Sequence, residues 1–142
     1  MVATVQVVFD CARPQQQAEF WAAALGYVVQ PPPPGYDSWP DLLREMGVPE
    51  DQWDSRSAVV DPDGGRPRIF FQRVPEAKAV KNRVHLDIQV GPGIAAAERP
   101  AMVRDEVTRL TGLGARQDRV MDEMGEHWVV MIDPEGNEFC VS

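Results

Sequence analysis

The chain has 142 residues, 44% of them hydrophobic, and a net charge of −8, with 22 Asp and Glu against 14 Lys and Arg. That length suits one domain with a sizeable core, or two small modules too thin to be stable apart. The halves 1–75 and 76–142 each carry −4, and the one basic cluster, Lys78, Lys81 and Arg83, is small and lies beside acidic residues, which argues against a nucleic-acid partner.

No apolar run approaches the roughly 20 residues of a membrane helix. Met1-Val2-Ala3-Thr4-Val5 lacks the charged leader and apolar stretch of a secretion signal, so the expectation is a soluble, cytoplasmic protein without a membrane partner. Cys11 and Cys140 fit neither a disulfide framework nor a zinc motif.

Along the chain, Val5 to Asp10 alternates as a strand with one packed face. A helix follows from Pro14, with Ala18, Trp21, Ala22 and Leu25 on one stripe and Gly26 as its stop. Tyr27 to Gln30 reads as a second strand, closed by Pro31 to Pro34. Residues 35–55 form an insertion with a short amphipathic helix around Asp41, Leu42, Leu43 and Met46, flanked by Trp39 and Trp53. Two readings stand for it, a pinned surface excursion or a lid. Ser57 to Val60 and Arg68 to Arg73 make a hairpin around Asp61-Pro62-Asp63-Gly64. After a linker, Val74 to Val80, the cleanest alternation of the chain runs from Asn82 to Val90, with Val84, Leu86, Ile88 and Val90 on one face and Arg83, His85, Asp87 and Gln89 on the other. A helix from Pro100 buries Val103, Val107 and Leu110. Strands at Arg116 to Val120, His127 to Ile132 and Asn137 to Val141 complete the chain.

The order strand, helix, strand, strand, strand thus occurs twice. Asp133-Pro134-Glu135-Gly136 repeats the first aspartate-proline turn 72 residues on, and Leu113-Gly114 repeats Leu25-Gly26. Two copies of a long unit are too few for a solenoid and imply a pair of βαβββ modules, about 1–75 and 80–142, in an α+β domain.

With Phe20-Trp21-Ala22-Ala23-Ala24-Leu25-Gly26, Lys81-Asn82-Arg83-Val84-His85-Leu86-Asp87 and Asp133-Pro134-Glu135-Gly136-Asn137-Glu138-Phe139-Cys140, the chain resembles the vicinal oxygen chelate superfamily. More narrowly it resembles the glyoxalase-like, bleomycin-resistance-like domains common in actinobacteria. The resemblance implies a half-open barrel of eight strands, commonly a homodimer, and in the metalloenzymes a central divalent metal held at positions that here are Gln6, Gln72, His85 and Cys140. Those enzymes generally carry His or Glu where this chain has Gln6, Gln72 and Cys140. Neutral amides compensate none of an ion's charge, so the expectation is a cavity that binds a small organic ligand without that metal or another cofactor. Gln6, Gln72, Arg83, His85, Asp87, Trp128 and Cys140 are the expected ligand-binding residues. Glu138 and His85 are the candidates for chemistry if the chain is instead a divalent-metal-dependent lyase or isomerase resembling glyoxalase I.

Simpler roles compete with several of these. Asp87 reads as a partner for Arg83 or a backbone amide, Cys140 as a small cavity-wall residue, Trp128 as either a stacking surface or core, and His127, on the opposite strand face, as a surface or helix contact. No nucleotide loop, nucleophile elbow or paired-cysteine motif is present, which removes most hydrolase and nucleotide-enzyme readings.

Overall fold

The computed structural model describes residues 1–142. It comprises two compact units, Met1–Ala77 and Lys78–Ser142. Each is a βαβββ-like module with a four-stranded mixed sheet, so the fold is α+β.

In the first unit β1 (Val7–Cys11), β2 (Val28–Val29), β3 (Arg56–Val60) and β4 (Ile69–Arg73) lie in the order β1-β4-β3-β2, with only β1 and β4 parallel. Helix α1 (Pro14–Leu25) starts on a proline, whose missing N–H leaves no bond unmade, and ends at Gly26, where a φ of 69° suits a residue without Cβ. The helix seals one sheet face: Trp21 is fully buried, with Phe9 at 5.2 Å from its ring and Phe71 at 5.4 Å from Phe9. Alternation then sends Gln6, Val8 and Asp10, and Arg68, Phe70 and Gln72 across from them, to the face away from α1.

The insertion forms α2 (Trp39–Glu45) and a short 3-10 helix, Glu50–Gln52. Ser38 caps α2, accepting the Asp41 N–H at 3.3 Å and donating to the Asp41 carboxylate at 2.6 Å, so Trp39 belongs to the first turn rather than flanking the helix. The Trp39 indole donates to the Gln30 carbonyl at 2.8 Å and that of Trp53 to the Val48 carbonyl at 2.9 Å, pinning the segment to the main chain of its own unit.

The second unit has β5 (Asp87–Ile88), β6 (Arg116–Glu123), β7 (Glu126–Ile132) and β8 (Glu138–Val141) in the order β5-β8-β7-β6, the same plan with β5 and β8 parallel. Helix α3 (Arg99–Gly112) buries Val103, Val107 and Leu110, and the sheet answers with Val129, Met131, Phe139 and Val141. Each such side chain contributes about 1.5–3 kcal/mol of burial.

The repeated aspartates are structural. Asp61 accepts the N–H groups of Asp63 and Gly65 at 3.0 and 3.2 Å, while Asp133 accepts those of Glu135 and Asn137, both at 2.9 Å, and the Asn137 side-chain amide at 3.0 Å. Both carboxylates are buried, and each fixes the turn that reverses its hairpin.

Four strands differ from the expectation: β2 keeps only Val28–Val29 of Tyr27 to Gln30, β6 runs on past Val120 to Glu123, and β1 and β5 both shorten. The first begins at Val7, where pairing with Ile69 starts, and leaves Val5 exposed ahead of it. The long alternation from Asn82 contracts to Asp87–Ile88, because its partner β8 is only four residues long. Single parallel bonds from Cys140 to the Leu86 carbonyl and from Val90 to the Ser142 carbonyl extend the pairing, but Val84 is 81% exposed and takes no part in the core. No helix is long and apolar enough to cross a membrane.

Candidate functional site

The second unit contains an open cavity of about 960 Å³ on the sheet face opposite the helix stripe. Asp87 and Cys140 are register partners, Cys140 pairs in turn with Val130, and Val130 with Arg119, so one row of residues crosses four strands and lines the cavity. His85, two residues before Asp87, and Trp128, two before Val130, extend that surface.

On that surface one donor atom each of His85, Asp87 and Cys140 lies within 4.8 Å of the other two, and His85 Nε2 is 3.4 Å from Asp87 Oδ1. Strand spacing alone separates His85 and Asp87 by roughly 6.5 Å. The side chains lean together, and the polar neighbours of Asp87 are therefore the His85 imidazole and the Cys140 thiol. Arg83, expected in that role, is exposed and does not border the cavity.

Burial raises the Cys140 thiol above its ordinary value of 9.0, and the charge of Asp87, close enough to hold the thiol proton, raises it further; Lys81 and Arg119 pull less strongly the other way. A thiol in that state is a proton-bearing wall group rather than a poised nucleophile, which depends on thiolate character. Glu138 also borders the cavity, yet its carboxylate is engaged: Asn82 N–H donates to it at 2.9 Å and Lys78 Nζ lies 3.3 Å away. Burial pushes this acid upward, but the bonds from Asn82, from its own N–H and from Lys78 outweigh it and hold the group below 4.5.

The remaining expected residues lie in the first unit. The Gln6 carbonyl oxygen accepts from Arg68 Nη1 at 2.8 Å, and Gln72 donates through Nε2 to Asp10 at 2.9 Å. An amide coordinates a cation through oxygen, and in Gln6 that oxygen already faces a guanidinium. Of the four positions that the resemblance assigns to a metal, Gln6 does not fit, Gln72 offers a neutral oxygen, Cys140 is held toward its protonated form, and His85 alone is a ligand of the usual type. The His85, Asp87 and Cys140 trio is the one set of three donor atoms close enough to share an ion.

His127 takes the strand face expected of it. Its face is opposite that of Trp128, yet it borders the same cavity, as do Arg99 and Pro100 at the start of α3. Nδ1 lies 2.6 Å from Asp122, its register partner across the turn, and Nε2 is buried without a hydrogen-bond partner. The signal for this pair was present in Met124-Gly125, where φ values of 53° and 80° make the tight turn that sets Asp122 opposite His127.

Residues 6–142 match the Glyoxalase-like domain family, and the chain belongs to it. Among solved structures, the fold resembles the fosfomycin resistance protein FosX of Listeria monocytogenes, seen with Mn(II) and 1S,2S-dihydroxypropylphosphonic acid, at 10% identity and a TM-score of 0.62, covering 99% of this chain and 90% of that one. It also resembles a glyoxalase/bleomycin resistance protein/dioxygenase family enzyme of Burkholderia phytofirmans PsJN, at 17% identity and TM-score 0.60, over 96% of this chain and 94% of that one. A possible glyoxalase of Bacillus cereus matches at 13% identity and TM-score 0.61, over 99% and 98% of the two chains. At such identities the likeness is one of fold. No curated protein sequence matches the chain.

Proposed function

We propose that the protein binds a small organic ligand in the cavity of its second unit, as a bleomycin-resistance-like member of the family without the superfamily's usual four-ligand metal centre. The observation that carries this reading is the composition of the row across β5, β8 and β7. Asp87, with His85 beside it, and a proton-bearing thiol supply hydrogen-bonding groups of both polarities, while Val130 and Trp128 supply an apolar wall with a ring for stacking. Few polar groups converging in an apolar-walled concavity is the usual make-up of a small-molecule site. We further propose a soluble, cytoplasmic homodimer; light scattering that returned a 15.8 kDa monomer at micromolar concentration rejects the dimer.

A thermal-shift screen of planar and heterocyclic compounds, followed by titration of each hit, tests the binding site. Hits are expected to alter indole fluorescence in the wild type, with the change lost in Trp128→Phe and affinity about tenfold lower in His85→Ala. Hits insensitive to both substitutions place the site elsewhere.

A second reading rests on one observation, the closeness of the His85, Asp87 and Cys140 donor atoms. Zinc or another borderline ion accepts that set. It would act there as the Lewis acid of a lyase or isomerase, with a carboxylate such as Glu138 to move the proton. Metal content separates the two readings.

A further inference from the structure

The first unit holds a second polar constellation, separate in residues and chemistry from the cavity trio. Arg68, half-buried at the start of β4, donates from Nε to the Gln30 side-chain oxygen at 2.6 Å and from Nη1 to the Gln6 oxygen at 2.8 Å, and its guanidinium carbon lies 5.1 Å from the centre of the Phe70 ring. The partners are neutral. Arg44, Arg66 and Arg73 of the same unit each meet a carboxylate, whereas Arg68, like Arg56, meets none, in a chain of net charge −8, and of those two only Arg68 is held by amides. A carboxylate partner would accept the same N–H bonds and also cancel the arginine's charge. Two amides hold the group in place and leave the charge intact.

The amides have a further consequence. With each amide oxygen already accepting one bond from the guanidinium, the side-chain N–H groups of Gln6 and Gln30 are left without a partner, and Arg68 Nη2 makes no hydrogen bond. The cluster therefore presents unused donors around a fixed positive charge. The Phe70 ring attracts the guanidinium from 5.1 Å and, with the two amides, restricts its rotation, so little ordering remains to be done when an anion arrives. The main chain of Gln30 is itself held, its backbone carbonyl receiving the Trp39 indole N–H, which ties α2 of the insertion to the residue whose side chain orients Arg68.

We infer that Arg68, Gln6 and Gln30 form an anion site on the exposed face of the first unit's sheet, and that its ligand is a carboxylate carried on a small apolar or aromatic body. A carboxylate matches the planar donor edge of a guanidinium, and the rings of Phe70 and Trp39 offer apolar surface close to the donors' own residues.

The test is a titration of the full-length, ¹⁵N-labelled protein with benzoate at constant ionic strength, with methylphosphonate as the comparison anion. Benzoate is expected to produce saturable shifts of the Arg68 Nε–H and the Gln6 and Gln30 side-chain amides, with a millimolar dissociation constant. Arg68→Gln should weaken it at least about tenfold, Arg68→Lys by a smaller factor because the charge survives without the fork, and Arg66→Gln should leave it unchanged. Should Arg68→Gln fail to fold, the wild-type shifts and Arg68→Lys still decide. A purely structural Arg68 gives no saturable shift up to about 50 mM benzoate, well past a millimolar constant. That result, equal weakening by Arg66→Gln, or saturation by methylphosphonate alone overturns the proposal.

Discussion

The two units follow one plan of chain and put opposite chemistry on it. In the first, the sheet face away from the helix pairs Arg68 with Gln6 and Gln72 with Asp10, a face of fixed charges and amides. In the second, the equivalent face brings together His85, Asp87 and Cys140, side chains that gain, lose or share protons. The helices, the parallel outer pairs and the aspartate turns are common to both. What the scaffold requires is repeated, and what it leaves to the open face has diverged, so that face is where function has to be sought.

The largest effect should come from the shared turns, and it should be unequal. Asp133→Ala removes an acceptor of two backbone N–H groups and an asparagine side chain, Asp61→Ala an acceptor of two backbone groups and a long contact, at 3.8 Å, with the largely exposed Arg66 that contributes little. Urea unfolding is expected to show losses of about 3 and about 2 kcal/mol respectively. Equal losses would show that the asparagine contributes nothing to the asymmetry.

A smaller effect concerns the thiol. Cys140 should alkylate slowly at pH 8, and Asp87→Asn, by removing the charge that favours the protonated form, should speed the reaction by about threefold. Because the thiol's folded value is raised, its contribution to stability is complete below 9.0 and lost as pH rises through the raised value. A rate unchanged by Asp87→Asn leaves burial as the whole cause.

The smallest concerns Glu138, whose folded value is lowered. Its contribution is present above 4.5 and lost as pH falls through the depressed value. Glu138→Gln should cost about 1 kcal/mol at pH 7, and the gap from wild type should close as pH falls below 4.5 and through the depressed value. A gap constant with pH removes the charge from the explanation.

The repeat was legible in the sequence because its signals are local: a proline opens α1, a glycine closes it, and an aspartate two to four residues from its own N–H donors makes each turn. Strand β5 was read too long because alternation records which face a residue would take and not how much partner strand exists to pair with it. His85 and Asp87 were found, but their contact was not, since strand spacing does not set side-chain rotation. Arg68 remained hidden for another reason. Its two amide partners lie 38 and 62 residues away in the chain, and only the packing of β1, β2 and β4 assembles them.

Metal content tests the central contrast most directly. Untagged protein, loaded with zinc, manganese or nickel and dialysed against a mild chelator, is expected to retain well below one equivalent, with no difference between wild type and His85→Ala, because Gln6 faces a guanidinium and the Cys140 thiol keeps its proton. One tightly held equivalent, lost on His85→Ala together with a lyase or isomerase activity, would contradict this and make the second unit's trio a metal centre.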